Sequence, residues 1–489
     1  MRHIAVRLLL SLGLAVALIA LVFVGSVPDV VGVVAIFVVA LTLYWPLRDR
    51  IPDILMVFMT VLLVMIVVGG PAPRVFSDPA GFEKLRRIWL ERGPFDERLP
   101  VILHLIFDEM MSPGAISETV PTGPSARRAL YALGDEYGLR TFDSVYSRAF
   151  FSGVAMPNLF NAEFVGSTAL SDRFPQSLQR LPKNAYFEEL AKRGYRTVVF
   201  QTAHLNFCAN ARVAMCETFA SFDPGEPDGE RGLSSRALHL ASILLRSYEP
   251  SYFSRFGQRL LSKFNSGTGQ SRDLGVGGRF DVQRFPGWFD RFIGFVEGVP
   301  RGTHVFAHFM VPHGPYLLTD ECAVGPDAGV GYYLGSRIPD ARKRADARQD
   351  YYAHYLAQLG CVRSRIAAFL EAVGRNPQLR DATVIVHGDH GSRISVGNLV
   401  EDYEQEDFAA NYGTYFAVRA PGVEPGVDCE FLSLPEAFRR SIAGDAPLPP
   451  LDHSNPPVVV RTKASDEQMV EVPMPRFGCA AQEPMSEGA

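Results

Sequence analysis

Hydrophobic residues fall into two different patterns along this chain. Three long apolar runs come first, Leu8–Gly25, Val30–Leu47 and Ile54–Gly70. Each approaches the roughly 20 residues a helix needs to cross a hydrocarbon core. A cleaved signal peptide could imitate the first run, but not all three. Beyond about Leu99 the apolar runs are short: Val101–Phe107, Thr197–Gln201, His304–Val311, Thr383–His387 and Tyr415–Arg419. Continuous runs of that length suit strands buried on both faces of a parallel sheet. Segments with helical spacing lie between them, among them Asn184–Arg193 and Tyr351–Val373. The pattern predicts an α/β domain around one central, mostly parallel sheet flanked by helices, preceded by three transmembrane helices.

The organisation follows from these patterns. Residues 1–70 read as a membrane anchor and 71–98 as a linker, with a short surface helix near Phe82–Glu91. Residues 99–484 read as the folded outer domain and 485–489 as a disordered tail. Within the domain, residues 224–285 read as an insertion, with an amphipathic stretch at Leu233–Arg246 and a Gly/Ser-rich loop at Phe264–Gly278. Gly275-Val276-Gly277-Gly278 does not follow a strand into a helix, which argues against a dinucleotide loop.

Charge sharpens this division. The 489 residues carry 48 Lys+Arg and 53 Asp+Glu, a net charge of −5, which argues against nucleic-acid binding through bulk positive charge. Residues 1–70 hold seven charges: Arg2, Arg7, Asp29, Arg48, Asp49, Arg50 and Asp53. Arg2 and Arg7 flank the first run, and Arg48 and Arg50 separate the second from the third. The positive-inside rule then places the N-terminus in the cytoplasm and everything after Gly70 outside. All six cysteines, Cys208, Cys216, Cys322, Cys361, Cys429 and Cys479, follow the third run, as expected for disulfides in an oxidising compartment. Six cysteines allow 15 pairings; the short Cys208–Cys216 loop is the first expectation. The predicted location is a bacterial-type inner membrane, multi-pass, with the folded domain periplasmic.

The candidate chemistry collects where ligands bind in open α/β sheets, beyond the carboxyl ends of strands. Val101–Phe107 runs into Asp108-Glu109, and Thr383–His387 runs into Gly388-Asp389-His390-Gly391. Carboxylates and an imidazole converging there suit a divalent cation such as zinc or manganese. An acidic residue after a strand also commonly caps a helix. Ser152, in Phe150-Phe151-Ser152-Gly153-Val154-Ala155-Met156-Pro157, precedes a Pro-bearing helix start, where backbone N–H groups favour an anion. A serine there is also an ordinary N-cap. His313, in His308-Phe309-Met310-Val311-Pro312-His313-Gly314-Pro315, suits an exposed loop position in contact with substrate.

Taken in order, strand-Asp, Ser before a helix, His-Gly-Pro and Gly-Asp-His-Gly resemble the alkaline phosphatase/sulfatase superfamily, from about Val101 to Pro435. With the three apolar runs, the chain further resembles phosphoethanolamine transferases and lipoteichoic-acid synthases. In the former the nucleophilic threonine stands five residues before a proline, as Ser152 stands before Pro157. The resemblance assigns Asp108 or Glu109, with Ser152, Asp389 and His390, to one metal ion, one site being favoured over two. It assigns His313 to catalysis and substrate phosphate, and Arg393 to anionic charge in place of a further metal-binding histidine that this chain lacks. Formylglycine maturation, which needs Pro or Ala and then Arg after the nucleophile, should fail because Val154 and Met156 occupy those positions.

The function implied is transfer of a phospholipid headgroup, phosphoethanolamine or phosphoglycerol, through Ser152 onto an envelope glycan or lipid. A hydrolase of phosphate or sulfate esters is the enzymatic alternative. A non-catalytic envelope assembly or binding protein is the other.

Overall fold

The computed structural model describes residues 96–161, 181, 183–202, 205–219, 276–325, 340–396, 403–442, 458–461 and 469–481. All of them belong to the unit spanning Val75–Ala489. The three apolar runs, the Phe82–Glu91 and Leu233–Arg246 segments and the tail lie outside the described residues. No helix among the described residues is long and apolar enough to cross a membrane.

In chain order the first elements are β1 (Ile102–Phe107), α1 (Gly123–Tyr137), β2 (Arg140–Phe142), β3 (Val145–Tyr146), α2 (Ser152–Asn161), α3 (Ala185–Lys192), β4 (Arg196–Thr202) and β5 (Val213–Phe219). They continue with α4 (Val276–Val296), β6 (Thr303–Phe309), α5 (Ala341–Arg375), β7 (Thr383–Gly388), α6 (Gln405–Tyr412) and β8 (Phe416–Arg419). The last are β9 (Gly426–Asp428), β10 (Leu432–Ser433), α7 (Leu434–Ile442), β11 (Val458–Arg461) and β12 (Met469–Val472). Eight strands form one sheet in the order β5-β4-β6-β1-β7-β8-β2-β9. β8 pairs antiparallel with both β7 and β2, and every other pairing in the sheet is parallel. This is the mixed α/β fold with a mostly parallel central sheet that the apolar runs predict.

Burial on both faces explains why the central strands read as unbroken apolar runs. Leu103, Leu105 and Phe107 of β1 join a cluster that includes Phe285, Phe289 and Phe292 of α4 and Phe369 of α5. Ile102 and Ile106 join the other face, packed with Phe160 of α2, Phe187 of α3 and Phe438 of α7. The helices carry local signals for their ends. Asn184 caps α3 by accepting from Phe187 N–H, and the Asp340 carboxylate caps α5 by accepting from Arg342 and Lys343 N–H.

Two local expectations change. Val276 opens α4, so residues 276–278 begin a helix and do not end the Gly/Ser-rich loop, and residues 276–285 form the first half of that helix, with Val282 and Phe285 buried. Aromatic packing against Phe107 and Phe309 outweighs the poor helix propensity of Gly277 and Gly278. Pro157 lies inside α2, whose first residue is Ser152 itself, so the proline follows the helix start by a turn and a half.

Topology positions the site. β1 lies between β6 and β7 in register, with Phe107 beside both Phe309 and Gly388. Three parallel strands therefore deliver their next residues to one edge: Asp108 after β1, Met310–His313 after β6 and Asp389 after β7.

Candidate active site at the carboxyl edge of the sheet

The structure brings Asp108, Ser152, Asp389 and His390 together. Ser152 Oγ donates to Asp108 Oδ2 at 3.1 Å and lies 3.5 Å from His390 Nε2. His390 Nε2 is 3.3 Å from Asp389 Oδ2 and 3.8 Å from Asp108 Oδ1. All four side chains are buried. Asp389 Oδ1 accepts from the backbone N–H groups of Glu109 and His390 at 3.0 and 2.9 Å, which fixes the carboxylate against both loops.

His308 is the member that motif reading passed over. It points from β6 toward Asp108, with Nε2 3.8 Å from Asp108 Oδ2, and neither of its ring nitrogens has a hydrogen-bond partner. Asp108, His308 and Asp389 place one ligand atom each within 4.8 Å of one another. The signal was available in period-2 alternation: His304, Phe306 and His308 share a face of β6, and His308 pairs with Ile106, two residues before Asp108.

The residues fit a divalent cation. Asp108 Oδ1, Asp389 Oδ2 and both nitrogens of His308 are buried without hydrogen-bond partners, which in a native interior calls for an ion or a water. His390 Nδ1 lies 2.8 Å from the carbonyl of Gly391. A carbonyl only accepts, so Nδ1 carries the proton and Nε2 faces the two carboxylates with a lone pair. That is the tautomer a metal-binding imidazole needs. Burial holds both His308 and His390 down at about 4, so both are neutral near pH 7. The carboxylates diverge. Burial, then the charge of Asp389, pushes the Asp108 carboxyl up. Burial also acts upward on Asp389, but His390 and His308 outweigh it and hold that carboxyl down. Mixed carboxylate and imidazole donors suit zinc or manganese.

Glu109 and His313 lie beside this pocket. Glu109 Oε1 accepts from Arg393 Nε at 2.6 Å and from the Arg393 terminal amine, and lies 3.5 Å from His313 Nε2. Burial raises the Glu109 carboxyl to about 7 although the Arg393 guanidinium pulls it back. His313 is buried, 7% exposed, whereas the sequence suggested an exposed loop position. Its backbone N–H donates to Asp108 O, which anchors the His-Gly-Pro loop to the end of β1. Gln358 of α5 adds to that anchor by donating to the carbonyls of Pro312 and His313.

Six cysteines form three disulfides, Cys208–Cys216, Cys322–Cys361 and Cys429–Cys479. The first is the pairing expected from its short loop. The second ties the segment after His-Gly-Pro to α5.

A parallel sheet with a hydroxyl at a helix start, two carboxylates and neutral imidazoles at its carboxyl edge is the framework of a metal-assisted ester-cleaving or group-transferring enzyme. The family model described as Sulfatase matches residues 137–434. The chain belongs to the sulfatase family, within the alkaline phosphatase/sulfatase superfamily, and is an enzyme of that kind. The match takes in Ser152, His308, His313, Asp389, His390 and Arg393, while Asp108, just after β1, precedes it. No curated protein matches the chain in sequence. Similar solved structures include the C-terminal periplasmic domain of EcEptC from Escherichia coli in complex with Zn, at 10% identity and TM-score 0.39, covering 78% of this chain and 93% of that one. A phosphonate monoester hydrolase from Silicibacter pomeroyi is similar at 17% identity and TM-score 0.35, covering 68% and 71%. A 2-O GAG sulfatase is similar at 13% identity and TM-score 0.41, covering 73% and 72%.

Proposed function

We propose that this is a membrane-anchored phospho-group transferase whose catalytic domain works outside the cytoplasm and whose nucleophile is Ser152. The observation that carries the reading is the Ser152 hydroxyl at the first residue of α2, hydrogen-bonded to Asp108 and 3.5 Å from His390. Val154 and Met156 follow it where formylglycine maturation requires other residues, so the serine acts as serine. Three disulfides support an oxidising compartment, and the three N-terminal apolar runs support a membrane anchor.

Asp108, Asp389, His390 and His308 would hold a divalent cation in this reading, which when bound would supply Lewis-acid stabilisation of charge on the serine oxygen and on phosphorus. The chain's own residues do the rest. Asp108 Oδ2 orients the Ser152 hydroxyl, and the N–H groups opening α2 favour the incoming phosphate. Ser152 Oγ bonds to phosphorus of a phospholipid headgroup, the bond from phosphorus to the diacylglycerol oxygen breaks, and that oxygen takes up a proton. An acceptor hydroxyl on an envelope glycan or lipid then loses its proton and bonds to phosphorus, and Ser152 leaves and is reprotonated. His313 carries the proton in each half, because its Nδ1 is 2.5 Å from the Gly314 carbonyl and Nε2 is therefore the basic nitrogen.

Mass spectrometry of Ser152 after incubation with labelled phosphatidylethanolamine and phosphatidylglycerol tests the reading. A phospho-adduct that a glycan or lipid acceptor discharges is expected. Discharge by water at the same rate in the presence of acceptors would make the enzyme a hydrolase. Turnover by Ser152→Ala without any adduct would remove Ser152 from the chemistry.

A further inference from the structure

Residues 310–315, which carry His313, are neither helix nor strand. Pro312 and Pro315 among them have no backbone N–H to offer, so the buried polar groups of this stretch need partners elsewhere. Four groups in and just after it find one side chain. Gln358 Oε1 accepts from the N–H groups of Leu317 and Leu318 at 2.9 and 3.2 Å. Its Nε2 donates to the carbonyls of Pro312 and His313 at 3.0 Å each. Two donor hydrogens and two lone pairs are all that a side-chain amide has, and Gln358 is fully buried.

The helix that carries Gln358 also holds the neighbouring loops. About a turn earlier on α5, the Tyr355 hydroxyl donates to Glu109 O at 2.8 Å and accepts from Met111 N–H at 3.0 Å, which pins the residues after Asp108. Arg344 Nε donates to the carbonyl of Val396 at 2.5 Å, in the segment after Asp389-His390. Arg344 and Tyr355 are about three helical turns apart, so they and Gln358 project from one side of α5. Beyond Gln358, Cys361 is joined to Cys322 and closes the same segment. Gly360 permits that approach, since a Cβ there would stand 2.9 Å from Cβ of Asp320.

We infer that Gln358 is a positioning residue for His313, and that α5 is the gauge that sets His313 against Asp108 and Ser152. The inference rests on the reading in which His313 carries the proton for transfer through Ser152. The bond from His313 N–H to Asp108 O, at 3.0 Å, fixes one end of the residue, and Gln358 fixes its carbonyl at the other. Because Tyr355 and Gln358 share one helix, the loops after β1 and β6 keep their spacing for as long as these bonds hold. A proton carrier must stand within hydrogen-bond reach of the oxygen it serves. Slack in this loop therefore falls on rate and not on substrate binding.

The experiment is a double-mutant cycle on the full-length, detergent-solubilised protein supplied with zinc. It reads the rate of Ser152 phospho-adduct formation and diacylglycerol release from labelled phosphatidylethanolamine. Gln358→Leu is expected to lower the saturating rate by roughly 10–100-fold, the cost of misplacing a reacting group by a fraction of an ångström to an ångström. The lipid concentration at half-saturation should not change. In a His313→Ala background, which is slow already, the same substitution should cost no more than about twofold. Gln358→Asn keeps an amide that stops one carbon short of the loop. It is the second variant should the leucine chain not fold, and the same pattern is expected of it. An unchanged rate in the folded variant, or a slowing that multiplies that of His313→Ala, overturns the inference and leaves Ser152 as the nucleophile. A His313→Ala rate equal to wild type removes His313 from the chemistry, and the inference with it. Neither adduct nor diacylglycerol from wild type overturns the transfer reading on which the inference rests.

Discussion

Replacing Asp389 by Asn should separate the two things that this carboxylate does. Its Oδ1 accepts the backbone N–H groups of Glu109 and His390, and an Asn carbonyl in the same place can keep both bonds. Its Oδ2 faces His390 Nε2 and has no hydrogen-bond partner, and this is the atom that the amide nitrogen replaces. Without metal, wild type holds the Asp108 and Asp389 ligand atoms within 4.8 Å of each other. Two full charges at that distance would repel by about 3 kcal/mol at an effective dielectric of about 20; near pH 7 the metal-free protein avoids this because burial and the Asp389 charge push the Asp108 carboxyl up and keep it protonated. The amide gives up only the Asp389 charge and keeps the backbone bonds, so metal-free Asp389→Asn should lie within about 2 kcal/mol of metal-free wild type. With metal the two should separate. An ion at 100 times its dissociation constant stabilises wild type by about 2.7 kcal/mol, a rise of roughly 3–6 °C in melting temperature for a large domain. Asp389→Asn, with a ligand charge missing, should show little of that rise. Thermal unfolding of both proteins, chelated and then supplied with zinc or manganese, gives all four numbers. An equal metal-induced rise in the variant would refute the assignment of Asp389 as a ligand. A metal-free variant several kcal/mol below wild type would refute the argument that the Asn keeps the backbone bonds.

Three further outcomes are expected. Ser152→Ala should lose turnover by at least 10³-fold while keeping its metal, because the nucleophile goes and the Asp108, Asp389, His390 and His308 donors remain; steady-state rates and metal content check both halves. Replacing Cys322 and Cys361 together by Ser should cost up to about 4 kcal/mol in denaturant unfolding, the loop entropy released by a crosslink 39 residues apart; no loss would mean that the packing of α5 alone holds the segment after His-Gly-Pro. Glu217 is buried on β5, and burial, partly offset by Arg291, raises its carboxyl to about 7. The folded state therefore holds this proton more tightly than the unfolded chain does. The contribution of Glu217 is complete below about pH 4.5 and is lost as pH rises through 7, by about 3 kcal/mol. Glu217→Gln should flatten that part of the stability curve, and an unchanged slope would remove Glu217 as its source.

The strands around the site were legible because burial on both faces writes itself into composition. Val101–Phe107 and Thr383–His387 coincide with β1 and β7 to within a residue, and the charged residues that end them are the ones the structure brings together. The direction of β8 was not legible, since an apolar run is the same read either way and the pairing with β7 is settled by the α6 connection. β2, β3, β9 and β10 have two or three residues each, too few to show a period. The Cys208–Cys216 disulfide could be expected from its short loop, but nothing local joins Cys429 to Cys479. The Arg393–Glu109 pair spans 284 positions and depends on two left-handed residues, a property of the folded loops that no local pattern carries.

The glycines after the site histidines are legible as letters, but their purpose is physical and appears only in three dimensions. His313-Gly314, His387-Gly388 and His390-Gly391 share one device: each Nδ1 lies 2.5, 2.5 and 2.8 Å from the carbonyl of the glycine that follows it. Each Nδ1 therefore holds the proton and each Nε2 is left basic. Two of the three glycines are also required by backbone approach. A Cβ on Gly388 would stand 2.3 Å from Met110 O, and one on Gly391 would stand 2.2 Å from Ala410 O. The same tautomer then has different uses according to depth. His387 Nε2 accepts from His104 Nε2–H at 2.7 Å in the core, tying β7 to β1 beneath Asp389 and Asp108. His390 Nε2 faces the carboxylates and Ser152, and His313 Nε2 faces Glu109 and its arginine. The turn around Asp389-His390 is thus a constraint. It fixes which nitrogen is basic before any ion or substrate arrives, so little of the binding energy is spent on choosing a tautomer.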